Sequence, residues 1–97
     1  MKFMQVIEYE TTQEEKMSRL MDEWMMATEG RRTVTREFHT RDREHPRHYV
    51  DIVEFPSYEK AMVNNALPET RRMAEEFRSL CEGEPRFVNL EVIDEEP

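Results

Sequence analysis

Residues 49–65 read YVDIVEFPSYEKAMVNN. Apolar and acidic side chains alternate through the first half of this stretch, a pattern that predicts a strand over 48–55. Pro56 ends the strand because proline donates no ladder hydrogen bond, and Ser57 can cap the helix that follows. Asp51 lies in the middle of the strand, so the stretch also raises the question of what a carboxylate does there.

Three further segments have the alternation, or the β-branched and aromatic content, that is typical of strands. They lie at about 2–9, 33–40 and 86–93. The polar connection RDREHPR joins the segment at 33–40 to the strand at 48–55, which predicts a hairpin with a long turn.

The segments between the strands have helical spacing. Thr12, with Glu15 in a capping box, is predicted to begin a first helix that Gly30 ends. Pro68 fits the first turn of a later helix that Gly83 ends. The predicted buried stripes are Met17, Leu20, Met21, Trp24 and Met25 in the first helix, and Met73, Ala74, Phe77, Leu80 and Cys81 in the later one.

The element order β-α-β-β-α-β predicts an α+β, ferredoxin-like fold with a four-stranded antiparallel sheet and helices on one face. The 97 residues are enough for a single domain over 1–97. We expect the acidic tail at 94–97 to be frayed.

Composition narrows the class of protein. The net charge of −8 disfavours nucleic-acid binding, and no apolar run approaches the ~18 residues of a membrane span. The single Cys81 permits no intrachain disulfide, and the first residues lack a signal-peptide pattern, so we expect a cytoplasmic protein. Residues 31–48 hold six arginines against three acids, which indicates either a solvated hairpin or a contact surface.

Strand side chains alternate with period two, so the strands divide into two faces. We expect the helices to cover an aliphatic set consisting of Met4, Val6, Val50, Ile52, Val88, Leu90 and Val92. The other set mixes aromatic and polar residues, namely Phe3, Gln5, Ile7, Tyr9, Tyr49, Asp51, Val53, Phe55, Phe87, Asn89, Glu91 and Ile93. Thr33, Thr35, Glu37 and His39 join this set if the second strand is regular. Leaving that mixed face bare would forfeit roughly 10–20 kcal/mol, so we expect a second copy to cover it in a homodimer.

The element order, a sheet with two substantial faces and the segment 49–65 resemble the dimeric α+β barrel superfamily, in its antibiotic-biosynthesis-monooxygenase-like branch. In that branch a similar strand ends in an aromatic residue and a short polar turn before a helix like SYEKAM. The resemblance implies a ferredoxin-like protomer that dimerises into an α+β barrel. The superfamily includes cofactor-independent oxygenases of aromatic polyketides, isomerases, haem-degrading enzymes and proteins without known activity, so the fold does not fix the function.

Neither haem nor a metal is expected. The resemblance implies that haem-degrading members use an Asn, a Trp and a His on the helix after the strand pair. Met73 is the nearest counterpart of that His, and no histidine follows His48. His39, His45 and His48 are spaced by six and three residues, which matches no standard ligand pattern. We therefore predict no cofactor.

The mixed face is the candidate site, because apolar walls with a few convergent polar groups are typical of small-molecule pockets. Asp51 is the candidate general base, with His39 or Tyr49 as its partner, for removing a proton from a phenolic or enolic aromatic ligand. The resulting carbanion could react with oxygen without a cofactor. The candidate ligand-binding residues are Gln5, Tyr9, Phe55, Asn89 and Glu91.

Two alternatives stay open. Asp51 could instead form a structural ion pair with Arg36, and Glu91 could pair with Arg86. The chain would then be a non-catalytic ligand-binding or accessory dimer.

Overall fold

Four strands and three helices follow one another along residues 1–97 of the computed structural model: β1 (Phe3–Glu10), α1 (Glu14–Ala27), β2 (Arg36–Arg41), β3 (His48–Phe55), α2 (Tyr58–Ala66), α3 (Pro68–Leu80) and β4 (Arg86–Glu91). The strands form one antiparallel sheet in the order β2-β3-β1-β4. This topology confirms the predicted α+β, ferredoxin-like fold, with the second helical region divided into α2 and α3.

The start of α1 differs from the prediction. Gln13, not Thr12, is the N-cap residue, and its side chain makes no capping hydrogen bond. The hydroxyl of the preceding Thr11 instead accepts a hydrogen bond from the Gln13 backbone N–H at 3.0 Å. It also donates to the Leu80 carbonyl at 2.7 Å. Thr11 is buried and joins the start of α1 to the end of α3, which an exposed Thr12 could not do.

The other helix signals are confirmed. The Ser57 hydroxyl accepts a hydrogen bond from the Lys60 backbone N–H at 3.1 Å and caps α2. Pro68 occupies the first turn of α3, where its missing N–H leaves no helical bond unmade. Gly30 and Gly83 have φ values of +81° and +78°, the left-handed conformation that glycine adopts at least cost after a helix.

The mixed face of the sheet, not the aliphatic face, lies against the helices. Its aromatic side chains and helix residues form two buried clusters, one of Tyr9, Tyr49, Met17, Leu20 and Phe77 and one of Phe3, Phe55 and Ala61. The prediction that the helices cover the aliphatic set is therefore wrong. Aromatic rings bury about 150–250 Å² each, so they contribute most of the apolar area beneath the helices.

The aliphatic face is the open one. Its central residues Val6, Val50 and Ile52 are only partly buried, and Phe38 and Leu90 are exposed. The uncovered apolar surface is thus on the opposite side of the sheet from the one predicted. The argument for a homodimer now applies to this open face.

Phe55 tests the assigned core, since it is 1% exposed between the sheet and α2. Phe55→Ala should lower the free energy of unfolding by about 3–5 kcal/mol, because it loses apolar burial and leaves a cavity. Urea unfolding followed by circular dichroism, at one protein concentration, measures this loss. Ile93→Ala is the control at an 81% exposed position and should change stability by less than about 0.5 kcal/mol. Equal losses in the two variants would contradict the assigned core.

Candidate functional site

Asp51 lies near the centre of the sheet, on the face covered by the helices. Its neighbours in strand register are His39 on β2 and Ile7 on β1. Tyr9 and Tyr49 form the next pair of this face on β1 and β3. The hairpin register therefore brings His39 to Asp51 across twelve residues of sequence.

Two side chains hydrogen-bond the buried Asp51 carboxylate. The Tyr9 hydroxyl donates to Oδ2 at 3.0 Å, and Nδ1 of His39 lies 2.6 Å from Oδ1. The other ring nitrogen of His39, Nε2, lies 3.1 Å from the Glu14 carboxylate on the first turn of α1. His39 thus links a buried carboxylate to one that is close to solvent.

The predicted ion pair between Asp51 and Arg36 does not form. Arg36 pairs in register with Glu54, and its guanidinium lies over the Phe38 ring, 5.0 Å from the ring centre. Both Arg36 and Phe38 project from the open face of the sheet. The prediction failed because the register of β2 on β3 places Arg36 opposite Glu54, on the other face of the sheet from Asp51.

Burial and hydrogen bonding together set the pKa values of Asp51, His39 and Tyr9. Burial raises the pKa of Asp51, and the hydrogen bonds from His39 and Tyr9 oppose that rise without cancelling it. Burial lowers the pKa of His39, but the hydrogen bonds and charges of Asp51 and Glu14 outweigh it, so the pKa lies above its ordinary value. Burial and the Asp51 charge raise the pKa of Tyr9, which keeps its hydroxyl a neutral donor.

Tyr49 does not contact the Asp51 carboxylate through its hydroxyl. Its ring stacks on the His39 imidazole at 5.6 Å with an interplanar angle of 3°, and on the Tyr9 ring at 5.6 Å and 17°. Tyr49 therefore orients the rings of the two residues that do hydrogen-bond Asp51. The tyrosine that hydrogen-bonds Asp51 is Tyr9, not the predicted Tyr49.

A cavity of about 220 Å³ lies beside Asp51, between the sheet and the helices. Its apolar walls include Ile7, Trp24, Val53, Phe55 and Phe77, and its polar lining consists of Gln5, Glu37, Asp51, Asn64, Asn65, Thr70 and Arg71. A second pocket of about 190 Å³ reaches Tyr9 and His39 and shares Glu37 and Asp51 with the cavity. The whole site has apolar walls with few polar groups, as small-molecule sites do.

The predicted ligand-binding residues divide into two groups. Gln5 and Phe55 line the cavity and Tyr9 lines the second pocket, whereas Asn89 and Glu91 line neither. Both of the latter are exposed on the edge strand β4, which the helices leave uncovered, and the Asn89 side chain accepts a hydrogen bond from Gln5 at 3.2 Å. Glu91 has no ion pair, because its proposed partner Arg86 lies 3.7 Å from Glu8 instead.

The sequence interpretation missed several residues that line the cavity. Glu37 lies two residues before His39 on β2, so the two side chains are on the same face of the sheet. Burial raises the pKa of the Glu37 carboxyl. Asn64 lies three residues after the buried Ala61, so helical spacing alone could have placed it on the inner face of α2. Trp24, expected to be plain core, lines the cavity and donates a hydrogen bond through Nε1 to Thr70 at 2.9 Å.

The remaining histidines gather away from Asp51. Nδ1 of His45 and Nδ1 of His48 lie 3.2 and 3.0 Å from the same oxygen of Asp42. The hydrogen bond from His48 is the main reason that the pKa of Asp42 falls to about 2. No group of three or more His, Cys, Asp or Glu side chains in the structure could hold a metal ion.

The fold matches solved structures at low sequence identity. SnoaB, a cofactor-independent oxygenase from Streptomyces nogalater, superimposes with a TM-score of 0.82 at 13% identity, over 99% of this chain and 97% of that chain. Rv0793 from Mycobacterium tuberculosis gives 0.81 at 10% identity over 100% of both chains. An antibiotic biosynthesis monooxygenase gives 0.75 at 15% identity, over 95% of this chain and 99% of that chain.

The chain therefore shares the fold of these three proteins. No protein-family model matches the sequence, and the comparison with curated proteins gives no match. None of the three helices has the length and apolar character needed to cross a membrane.

The titration of His39 tests the hydrogen-bonded group. Its NMR midpoint should lie above the ordinary value of ~6.5, because Asp51 and Glu14 stabilise the imidazolium. Asp51→Asn should lower the His39 midpoint, because it removes one of the two carboxylates that raise the pKa while burial still lowers it. Glu14→Gln removes the other carboxylate and should lower the midpoint as well. A His39 midpoint that is the same in the wild type and in Asp51→Asn would contradict the assigned contacts.

The same titration predicts how stability depends on pH. Because the folded pKa of His39 is raised, its contribution is fully present below about pH 6.5 and is lost as the pH rises through the folded pKa. Urea midpoints measured from pH 5.5 to 8.5 should therefore fall across this range in the wild type. The fall should be smaller in His39→Gln, which cannot be protonated.

Proposed function

We propose that the protein is a cofactor-independent, monooxygenase-like enzyme that removes a proton from a phenolic or enolic position of an aromatic, polyketide-like small molecule. The observation that carries this proposal is the buried Asp51 carboxylate, which is hydrogen-bonded by His39 and Tyr9 and lines a mostly apolar cavity. Burial makes Asp51 a stronger base than an exposed carboxylate.

The surroundings of Asp51 suit proton abstraction. Each carboxylate oxygen accepts one hydrogen bond within the chain, so lone pairs remain for a proton of the substrate. The imidazole of His39, hydrogen-bonded to both Asp51 and Glu14, offers a route for that proton towards solvent. The apolar walls would exclude water from the carbanion that forms.

Molecular oxygen would supply the oxidising equivalents. The substrate carbanion passes electrons to oxygen and forms a carbon–oxygen bond, which gives a peroxide at that carbon. Loss of water from the peroxide leaves a ketone. One atom of oxygen thus enters the product. The other leaves as water with two hydrogens of the substrate, one from the phenolic or enolic hydroxyl and one from the carbon that is oxygenated, so no further reductant is needed.

The similarity to SnoaB supports this proposal at the level of fold, because that protein is itself a cofactor-independent oxygenase. An isomerase would use the same base without consuming oxygen. A ligand-binding module would bind the aromatic molecule without exchanging its proton. Oxygen consumption and proton exchange therefore separate these functions.

We also infer that two copies pair through the open aliphatic face. Its central residues Val6, Val50 and Ile52 lie on the two inner strands, and the exposed Phe38 and Leu90 lie at the two edges. A second copy would remove this apolar surface from water. The cavity, on the other side of the sheet, would remain outside such an interface.

Asp51→Asn tests the proposed base. With 1,8-dihydroxyanthrone as the probe, the variant should consume oxygen about 10²–10⁴-fold more slowly than the wild type, because an amide cannot accept the proton. An oxygen electrode measures the rate, and circular dichroism checks that the variant is folded. Asp94→Asn makes the same chemical change in the exposed tail and should leave the rate unchanged. An active Asp51→Asn enzyme, or a wild type that binds the probe without consuming oxygen, would refute the proposal.

Ile52→Asp tests the proposed interface. A charge in the middle of the aliphatic face should convert a dimer into a folded monomer, because a buried unpaired carboxylate is unfavourable. Sedimentation of the variant and the wild type at micromolar concentration gives the masses. Glu59→Asp, an exposed acidic position on α2, should keep the wild-type mass. A wild-type monomer would show that the inference is incorrect.

A further inference from the structure

The cavity has two chemically different ends. Asp51 and Glu37 supply carboxylates at one end, where Phe77 of α3 packs on Tyr9 with ring centres 4.7 Å apart. At the other end, Thr70 lies in the first turn of α3 and accepts a hydrogen bond from Trp24. Phe77 follows Thr70 by seven positions in α3, and at about 1.5 Å per position the two ends are about 10 Å apart.

Two hydrogen-bond donors at the second end have no acceptor in the protein. Asn64 is 3% exposed, and its Oδ1 accepts a hydrogen bond from the Thr33 backbone N–H at 3.3 Å. That contact fixes the orientation of the amide, and the Asn64 NH₂ group makes no hydrogen bond within the chain although the residue lines the cavity. The buried Thr70 hydroxyl accepts from Trp24, which leaves its own proton free to donate.

A charged donor, Arg71, lies beside Asn64 and Thr70. Arg71, next to Thr70, is the only arginine or lysine that lines the cavity. Its guanidinium makes no ion pair, although acidic residues outnumber basic ones by 22 to 14 in this chain. Arg71 is exposed, so it stands at the mouth of the cavity, with Asn64 and Thr70 deeper inside.

We propose that Asn64, Thr70 and Arg71 bind a carboxylate of the substrate, which makes the substrate class hydroxyaryl carboxylates. A guanidinium and two neutral donors match the acceptor oxygens of a carboxylate. A ligand without such oxygens would offer no acceptor to the donors of Asn64 and Thr70 and would displace the water that they can bind. The placement of the hydroxyl at Asp51 rests on the proposed function.

The acidic end fixes the direction in which the ligand enters. Asp51 and Glu37 would repel a substrate carboxylate, whereas Arg71 attracts it. The reacting hydroxyl or enol is then the part of the molecule that reaches Asp51. A bicyclic aromatic acid with its hydroxyl opposite its carboxylate spans a cavity of this length, and 6-hydroxy-2-naphthoate is such a probe.

Calorimetric titration of three ligands tests the proposal. The wild type should bind 6-hydroxy-2-naphthoate about 10-fold or more tightly than 2-naphthol, which lacks the carboxylate. 2-Naphthoate, which lacks the hydroxyl, measures the contribution of the carboxylate end alone. Equal affinities for 6-hydroxy-2-naphthoate and 2-naphthol would overturn the proposal, as would the failure of all three ligands to bind.

Substitutions test which residues cause the preference for 6-hydroxy-2-naphthoate over 2-naphthol. Arg71→Gln should remove most of the preference for the carboxylate and leave 2-naphthol binding unchanged. Arg72→Gln is the matched control, since this neighbouring arginine does not line the cavity. Asn64→Asp keeps the acceptor for Thr33 but replaces the donor, so it should also lose the preference. Circular dichroism verifies the fold, and retention of the preference in Arg71→Gln would overturn the proposal even if Asn64→Asp were unfolded.

The outcomes distinguish this proposal from the function on which it rests. If Asp51→Asn abolishes oxygen consumption while the carboxylate has no effect on affinity, the proposed function stands and the carboxylate site fails. If the preference depends on Arg71 while Asp51→Asn stays fully active, the carboxylate site stands and the proposed base fails.

Discussion

A carboxylate buried between a sheet and its helices must be hydrogen-bonded, and the position of Asp51 depends on this requirement. Burying it without partners would cost several kcal/mol. Tyr9 and His39 come from the strands on either side of β3 and supply those partners. Three strands must therefore keep their register for the group to form. Since burial strengthens the base, the same arrangement that allows Asp51 to be buried also supports its proposed chemistry.

Large aromatic residues explain why a chain of this size encloses a cavity. Phe77 packs on Tyr9 at one end of the sheet, and Phe55 packs with Ala61 at the other. These contacts hold the helices away from the sheet between the two ends. Residues in that gap, such as Val53, are too small to fill it, so space remains beside Asp51.

Period-two alternation correctly sorted the strand residues into two sets, and it placed Asp51, His39 and Tyr9 on one face. Alternation is a property of the backbone, so the sequence alone determines it. The face that the helices cover depends on how helix and strand side chains fit together. The aliphatic content of a face did not predict it, because the helices cover the mixed face with its aromatic residues. The pairing of Asp51 with His39 rather than Arg36 required the hairpin register, which a long polar turn does not specify.

The residues at the far end of the cavity were harder to find from sequence. Asn64, Thr70 and Arg71 lie on helices that come after the sheet hairpin, and only tertiary packing brings them over the strands. Asn64 was detectable by its helical spacing from Ala61, but its free amide group was not, because that depends on the contact with Thr33. The Asn64 amide and the Thr70 hydroxyl keep donors that no protein group uses. A ligand that supplies acceptors for them would stabilise the folded protein by occupying the cavity, and this is the physical basis of the proposed selectivity.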